Sequence, residues 1–173
     1  MDHQSCGMKL FEPFAGAHKR FSDFKYIGGI AMSNLKKDEK DPGLCGNERI
    51  EAAIAGLQQE TSQEQLAHTL TVIRQRMREG GQLIIAVEPP AGDGGLRIQA
   101  VRTEDGRNWW TVFTGFDEEL KGSDSVKSTF LTDMRQVFSQ AIRTEEIEGI
   151  ILNPWNRTLM LDKTLLRVIL GEM

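Results

Sequence analysis

Cysteine is scarce in this chain, with Cys6 and Cys45 alone among 173 residues. Two thiols are too few to staple a protein of this size, and a core this large does not need stapling. Both are expected to be free, with a Cys6–Cys45 bridge as the lesser alternative. Long apolar runs are also missing. The longest is Leu83-Ile84-Ile85-Ala86-Val87, whereas a membrane-spanning helix needs about twenty such residues. The segment Met1-Asp2-His3-Gln4-Ser5-Cys6-Gly7-Met8-Lys9 has no basic stretch followed by an apolar one, so the plan of a secretory signal is absent. The cytoplasm is the expected compartment, with no membrane contact. Neither sign of charge dominates: 21 basic residues face 25 acidic ones, for a net charge of -4. That balance argues against nucleic acid as a partner.

The residues that carry chemistry are equally sparse. His3, Cys6, His18, Cys45 and His68 are scattered, without the short spacings of a metal site. No G-x-S-x-G elbow occurs. Gly28-Gly29 and Gly92 to Gly95 match neither phosphate-binding pattern and read as turns. Glu118 and Glu119 resemble a carboxylate pair, but at a helix start they more simply complement the macrodipole. No catalytic residue, metal or cofactor is expected.

What is present is ordinary globular material, 39% hydrophobic and 27% charged, enough for one domain. The chain divides near residue 46. Residues 1–46 hold seven basic and six acidic residues and read as an amino-terminal arm, with a candidate strand over Tyr26 to Met32. Residues 47–173 read as the domain. Ile50, Ala53, Ile54 and Leu57 fall at the i, i+3, i+4, i+7 spacing of a buried helical face, with Asn47 placed to cap it. In Thr61-Ser62-Gln63-Glu64 a capping box opens a second helix, Thr61 being the expected cap. Leu66, Leu70, Ile73 and Met77 form its stripe, and Gly80-Gly81 end it.

Three strands follow, over Gln82 to Glu88, Leu96 to Thr103 and Asn108 to Thr114, joined by Gly-rich and Asp-Gly turns. An antiparallel meander is predicted. Its first strand is apolar on both faces and is expected to be central. Phe116 to Leu120 reads as a short helical turn capped by Thr114. A longer helix opens at Asp133 with Met134, Val137, Phe138, Ala141 and Ile142 on its inner face. Gly149 to Leu152 is a strand and Asn153-Pro154-Trp155-Asn156 a turn. Thr158 to Leu161 returns, and Asp162 caps a last helix carrying Leu165, Leu166, Ile169 and Leu170. The expected fold is α+β, with a mixed, mainly antiparallel sheet of about five strands covered by three to four helices.

The aromatic residues are the most suggestive. Trp109 and Trp110 are neighbours on one strand, so their side chains leave opposite faces of the sheet and only one meets the main helical layer. The other either packs beneath the amino-terminal arm or stays open to a partner. Trp155, in the Asn-Pro-Trp turn, poses the same choice between closing a core edge and anchoring a partner.

Together, Trp110-Thr111-Val112-Phe113-Thr114, the acidic Phe116-Asp117-Glu118-Glu119-Leu120, and Glu148-Gly149-Ile150-Ile151-Leu152-Asn153-Pro154-Trp155 with its Leu159-Met160-Leu161 return strand form a pattern. That pattern resembles the amino-terminal domain of the bacterial SseB (enhanced serine sensitivity) family, over about residues 47–171. There, a strand ending in Phe-Thr leads into an acidic helix, and a Gly-hydrophobic-Asn-Pro turn precedes the final strand and helix. The resemblance brings no catalytic residues and no cofactor. Nothing is carried over from the second domain of longer members. The lack of a reactive constellation, the tryptophans as candidate anchors and the single compact domain lead to the expectation of a non-catalytic regulatory or protein-interaction module. The candidate interaction residues are Trp110, Phe116, Asn153 and Trp155, for an unidentified protein partner or for self-association. The alternative is a regulator that binds a small amino-acid-like molecule.

Overall fold

Apolar stripes at helical spacing and polar residues at the ends of each stripe place the helices where the sequence puts them. In a computed structural model, residues 41–88, 97–121 and 128–172 are described; the Tyr26 to Met32 strand and Cys6 lie outside them. Helix α1 (Glu48–Gln59) buries Ile50, Ala53 and Ile54, and α2 (Gln63–Arg78) buries Leu70, Ile73 and Met77. The cap of α2 is Ser62, whose hydroxyl accepts from the Gln65 amide at 3.2 Å. Thr61, expected there, instead donates to the Leu57 carbonyl and belongs to the end of α1. The two residues compete for one position, and Ser62, with the extended backbone a cap requires, is the one whose side chain makes the capping bond. Asn47 stands at the cap position just before α1, as expected, but its backbone is already helical and its side chain makes no capping hydrogen bond. Arg49, near the start of α1, pairs with Glu79 after α2, and its hydrogen bond holds the Glu79 carboxyl below the usual range.

Strand β1 (Gln82–Glu88) is central as expected, buried from Leu83 to Val87. The next expected strand is broken into β2 (Arg97–Ile98), which pairs with β1, and β3 (Ala100–Arg102), which pairs with β4 (Asn108–Phe113). Here the simple meander gives way to a fork. At one end β1 and β4 pair directly, Ile84 with Phe113 and Ile85 with Val112. At the other they part, and Gln99 bridges them: its amide donates to Ala86 and its carbonyl accepts from Thr111.

The five-residue helix α3 (Phe116–Leu120) begins after Gly115 rather than Thr114. Strand β5 (Ser128–Asp133), absent from the sequence reading, pairs with β1 along six positions. Asp133 then caps α4 (Met134–Arg143) by accepting from the Gln136 amide at 3.0 Å. Strand β6 (Gly149–Leu152) lies parallel to β4, and β7 (Leu159–Asp162) returns antiparallel at its side. Asp162 caps α5 (Lys163–Leu170), as its position predicts. Gly149 has to be glycine, because a Cβ there would stand 2.1 Å from the Leu161 carbonyl oxygen.

The described residues form an α+β fold of five helices and a seven-stranded mixed, mostly antiparallel sheet. That sheet is larger than the one expected. Helices α1, α2, α4 and α5 all pack on one face, over Leu83, Ile85, Val112, Ile150, Leu152 and Leu161. The second face carries two smaller clusters. One joins Leu44, Ile84, Ala86 and Phe113 with Phe116, Leu131 and Trp155; the other joins Val101, Trp109 and Ile151. Among the described residues no helix is long and apolar enough to cross a membrane.

Candidate functional site

Parallel pairing of β4 with β6 brings their carboxyl ends side by side, Val112 opposite Leu152. The next residues, Thr114 and Asn153, therefore meet although 39 positions separate them. The Asn153 amide oxygen accepts from the Thr114 backbone N–H at 3.0 Å, and its Nδ2 donates to the Thr114 hydroxyl at 2.9 Å. That hydroxyl donates to Glu51 of α1 at 2.7 Å, and Arg157 closes the chain on the other Glu51 oxygen at 2.8 Å. Asn153 is wholly buried and holds a left-handed φ of 51°, which asparagine tolerates better than most side chains. Thr158 then donates to the Asn153 carbonyl at 2.8 Å, locking the far side of the turn.

A second buried amide braces the same end of the sheet. Asn47 donates through Nδ2 to the carbonyls of Gln82 and Thr114, at 2.8 and 3.0 Å. Its own oxygen accepts from Arg76 at 3.1 Å, and Arg76 also donates to Gly43. The predicted cap thus ties α1, α2, β1 and β4 together instead. Glu118 is buried as well, and does more than face a helix start. Its Oε1 accepts from Lys121 at 2.8 Å and from Asn156 at 3.4 Å, joining α3 to the Asn153–Asn156 turn.

Three of the four sequence candidates come together here and the fourth does not. Phe116 and Trp155 are half-buried against the cluster of Leu44, Ile84, Ala86 and Phe113, and Asn153 sits beneath the turn that carries Trp155. Asn153 itself is closed to solvent, so it shapes the site and cannot touch a partner. Trp110 leaves the opposite face, half-buried against the helical core. There it lines a shallow cleft with Glu88, Arg97, Asn108 and Glu146. The enclosed volume is about 30 Å³, room for little more than water and far below the size of a small-molecule pocket.

Compared with family models, curated proteins and solved structures, the chain matches none. The chemistry therefore rests on the geometry of these residues. Thr114 and Glu51 have the spacing of a nucleophile and its base, but the Thr114 hydroxyl is buried beneath Asn153 and turned inward. A substrate has no approach to it. Among the described residues no group of three or more His, Cys, Asp or Glu side chains is placed to hold a metal ion. His68 is exposed on α2, and Cys45 is a free, exposed thiol. What the arrangement provides is a rigid turn that presents one tryptophan beside one phenylalanine.

Sequence reasoning did not connect Asn47, Glu51 or Arg76 to the site. The only available signal was their polarity at helix positions facing the core, since each bond spans about 30 residues or more.

Proposed function

We propose that this chain is an SseB-like module of the bacterial cytoplasm that acts without catalysis, by holding a protein partner at the Phe116–Trp155 face. The carrying observation is that Trp155, half-buried, stands on a turn fixed from below by the buried Asn153–Thr114 pair, whose hydrogen bonds run on to the partly exposed Glu51. An aromatic anchor held in place before binding loses little conformational freedom when a partner closes over it, and tryptophan leads the residues that dominate interface energies.

The test is capture of partners by the tagged full-length chain from native bacterial lysate under mild crosslinking, read by mass spectrometry. One stoichiometric partner is expected, lost in Trp155→Ala and in Phe116→Ala and kept in Trp110→Ala, which alters the opposite face. Far-ultraviolet circular dichroism of each variant is expected to match the parent. Recovery of the bait alone, or a partner that survives Trp155→Ala, overturns the reading; a second copy of the chain as the captured protein makes the face one of self-association.

A further inference from the structure

We propose that the Glu118 carboxylate, between α3 and the Trp155 turn, is a receptor for an arginine side chain of the partner. The inference rests on the protein-binding reading of the Phe116–Trp155 face and names the chemistry that face selects. Glu118 is 4% exposed, yet only one of its two oxygens is used. Oε1 accepts from both Lys121 and Asn156, at 2.8 and 3.4 Å, while Oε2 is buried with no hydrogen-bond partner among the described residues. A buried charged oxygen left without a donor is costly, and such groups are rare in folded proteins. An ammonium is a point charge and answers one oxygen; a guanidinium carries parallel N–H groups spaced for both oxygens of a carboxylate. An incoming arginine completes what Lys121 satisfies by half.

Both donors on Oε1 belong to exposed residues, the Lys121 side chain being 44% open to solvent. A guanidinium can therefore reach the carboxylate by displacing them, without opening the core. Charge favours the exchange. Asp117, Glu118 and Glu119 stand against Lys121 alone along this segment, and Arg157, next to Asn156 in the turn, is already paired with Glu51 at 2.8 Å. The segment is thus complementary to a basic partner. Trp155 stands one residue before Asn156, half-buried, and an indole ring attracts the same guanidinium.

The experiment titrates the isotope-labelled full chain with Nα-acetyl-arginine amide, and separately with its lysine and citrulline counterparts, following the Asn156 side-chain amide by nuclear magnetic resonance. A saturable shift is expected with arginine, weaker with lysine and absent with citrulline. Glu118→Gln, which keeps the shape and removes the charge, is expected to raise the dissociation constant at least about tenfold. Lys121→Met frees the carboxylate of its internal cation and is expected to lower that constant about two- to fivefold. No saturable shift in either the parent or Lys121→Met overturns the proposal, as does a response to lysine as strong as that to arginine, or binding unchanged by both substitutions. Partner capture from lysate separates this inference from the reading beneath it. A partner lost in Trp155→Ala, from a chain with no arginine response, overturns the inference alone. An arginine response lost in Glu118→Gln, in a chain that captures no partner, overturns the reading of the face and supports arginine recognition at Glu118.

Discussion

On one face of the sheet, Ile85, Val112, Ile150 and Leu152 meet four helices whose apolar stripes interlock; on the other, Ile84, Ala86 and Phe113 meet Leu44, Phe116 and Trp155, drawn from turns and a five-residue helix. The helical face has many partners for each side chain, so no single contact decides its position. The second face relies on a few aromatic side chains, each held by the loop that carries it. This difference explains where a recognition surface can arise. A residue such as Phe138, wholly buried in the helical layer, has no outward surface to offer, whereas Trp155 closes a core edge with one side and faces solvent with the other.

The sharpest way to break the comparison uses two neighbours on β6. Ile150 and Ile151 are both 0% exposed but point to opposite faces. Truncating a fully buried isoleucine costs about 2–5 kcal/mol, depending on how far the site can collapse. Ile150→Ala and Ile151→Ala are both expected within that range by urea denaturation. A negligible loss for Ile151→Ala would mean that the second face contributes no core, and that its burial does not survive in solution.

Next in size is the turn beneath Trp155. Asn153→Ala leaves the buried Thr114 N–H without its acceptor, a cost of about 1–3 kcal/mol. It also forces a Cβ-bearing residue without a compensating side-chain bond into φ 51°, which adds about 1–2 kcal/mol. Asn153→Gly removes the same bonds but accepts the backbone angle. The glycine variant is therefore expected to unfold at a higher urea concentration than the alanine variant, with both below the parent. Equal midpoints would show that backbone strain plays no part in holding the turn.

These two regions also differ in how far they could be read from sequence. The helical face was legible because Ile50, Ile54, Leu70, Ile73, Val137 and Phe138 repeat with the helix period, and Asp133 and Asp162 announce helix starts within a few residues of the stripes they serve. Strand β5 was not. Ser128-Thr129-Phe130-Leu131-Thr132 adjoins a polar stretch, and its place beside β1 is fixed by pairing with residues more than 40 positions away. The fork of β1 and β4 was hidden for the same reason, since a single bridging residue, Gln99, decides it. At the candidate site the aromatic residues and Asn153 were visible as types. Their grouping was not, because it follows from the parallel register of β4 and β6, which no local spacing encodes. That register puts Phe116 and Trp155 on one face and leaves Trp110 on the other.

The smallest predicted effect tests local legibility within the helical layer. Thr61 and Ser62 adjoin each other before α2, and either hydroxyl satisfies the compositional rule for a cap. Only Ser62 has both the extended backbone and the bond to the Gln65 amide, whereas Thr61 bonds back into the last turn of α1 and is exposed. Ser62→Ala is therefore expected to cost about 1 kcal/mol in urea denaturation, and Thr61→Ala only a few tenths, the size of an ordinary surface change. The reverse order would move the start of α2 one residue upstream. It would then shift the angle at which Leu66 and Leu70 meet the core. Sequence composition makes the two residues equivalent; the bond that the Ser62 hydroxyl accepts from the Gln65 amide decides between them.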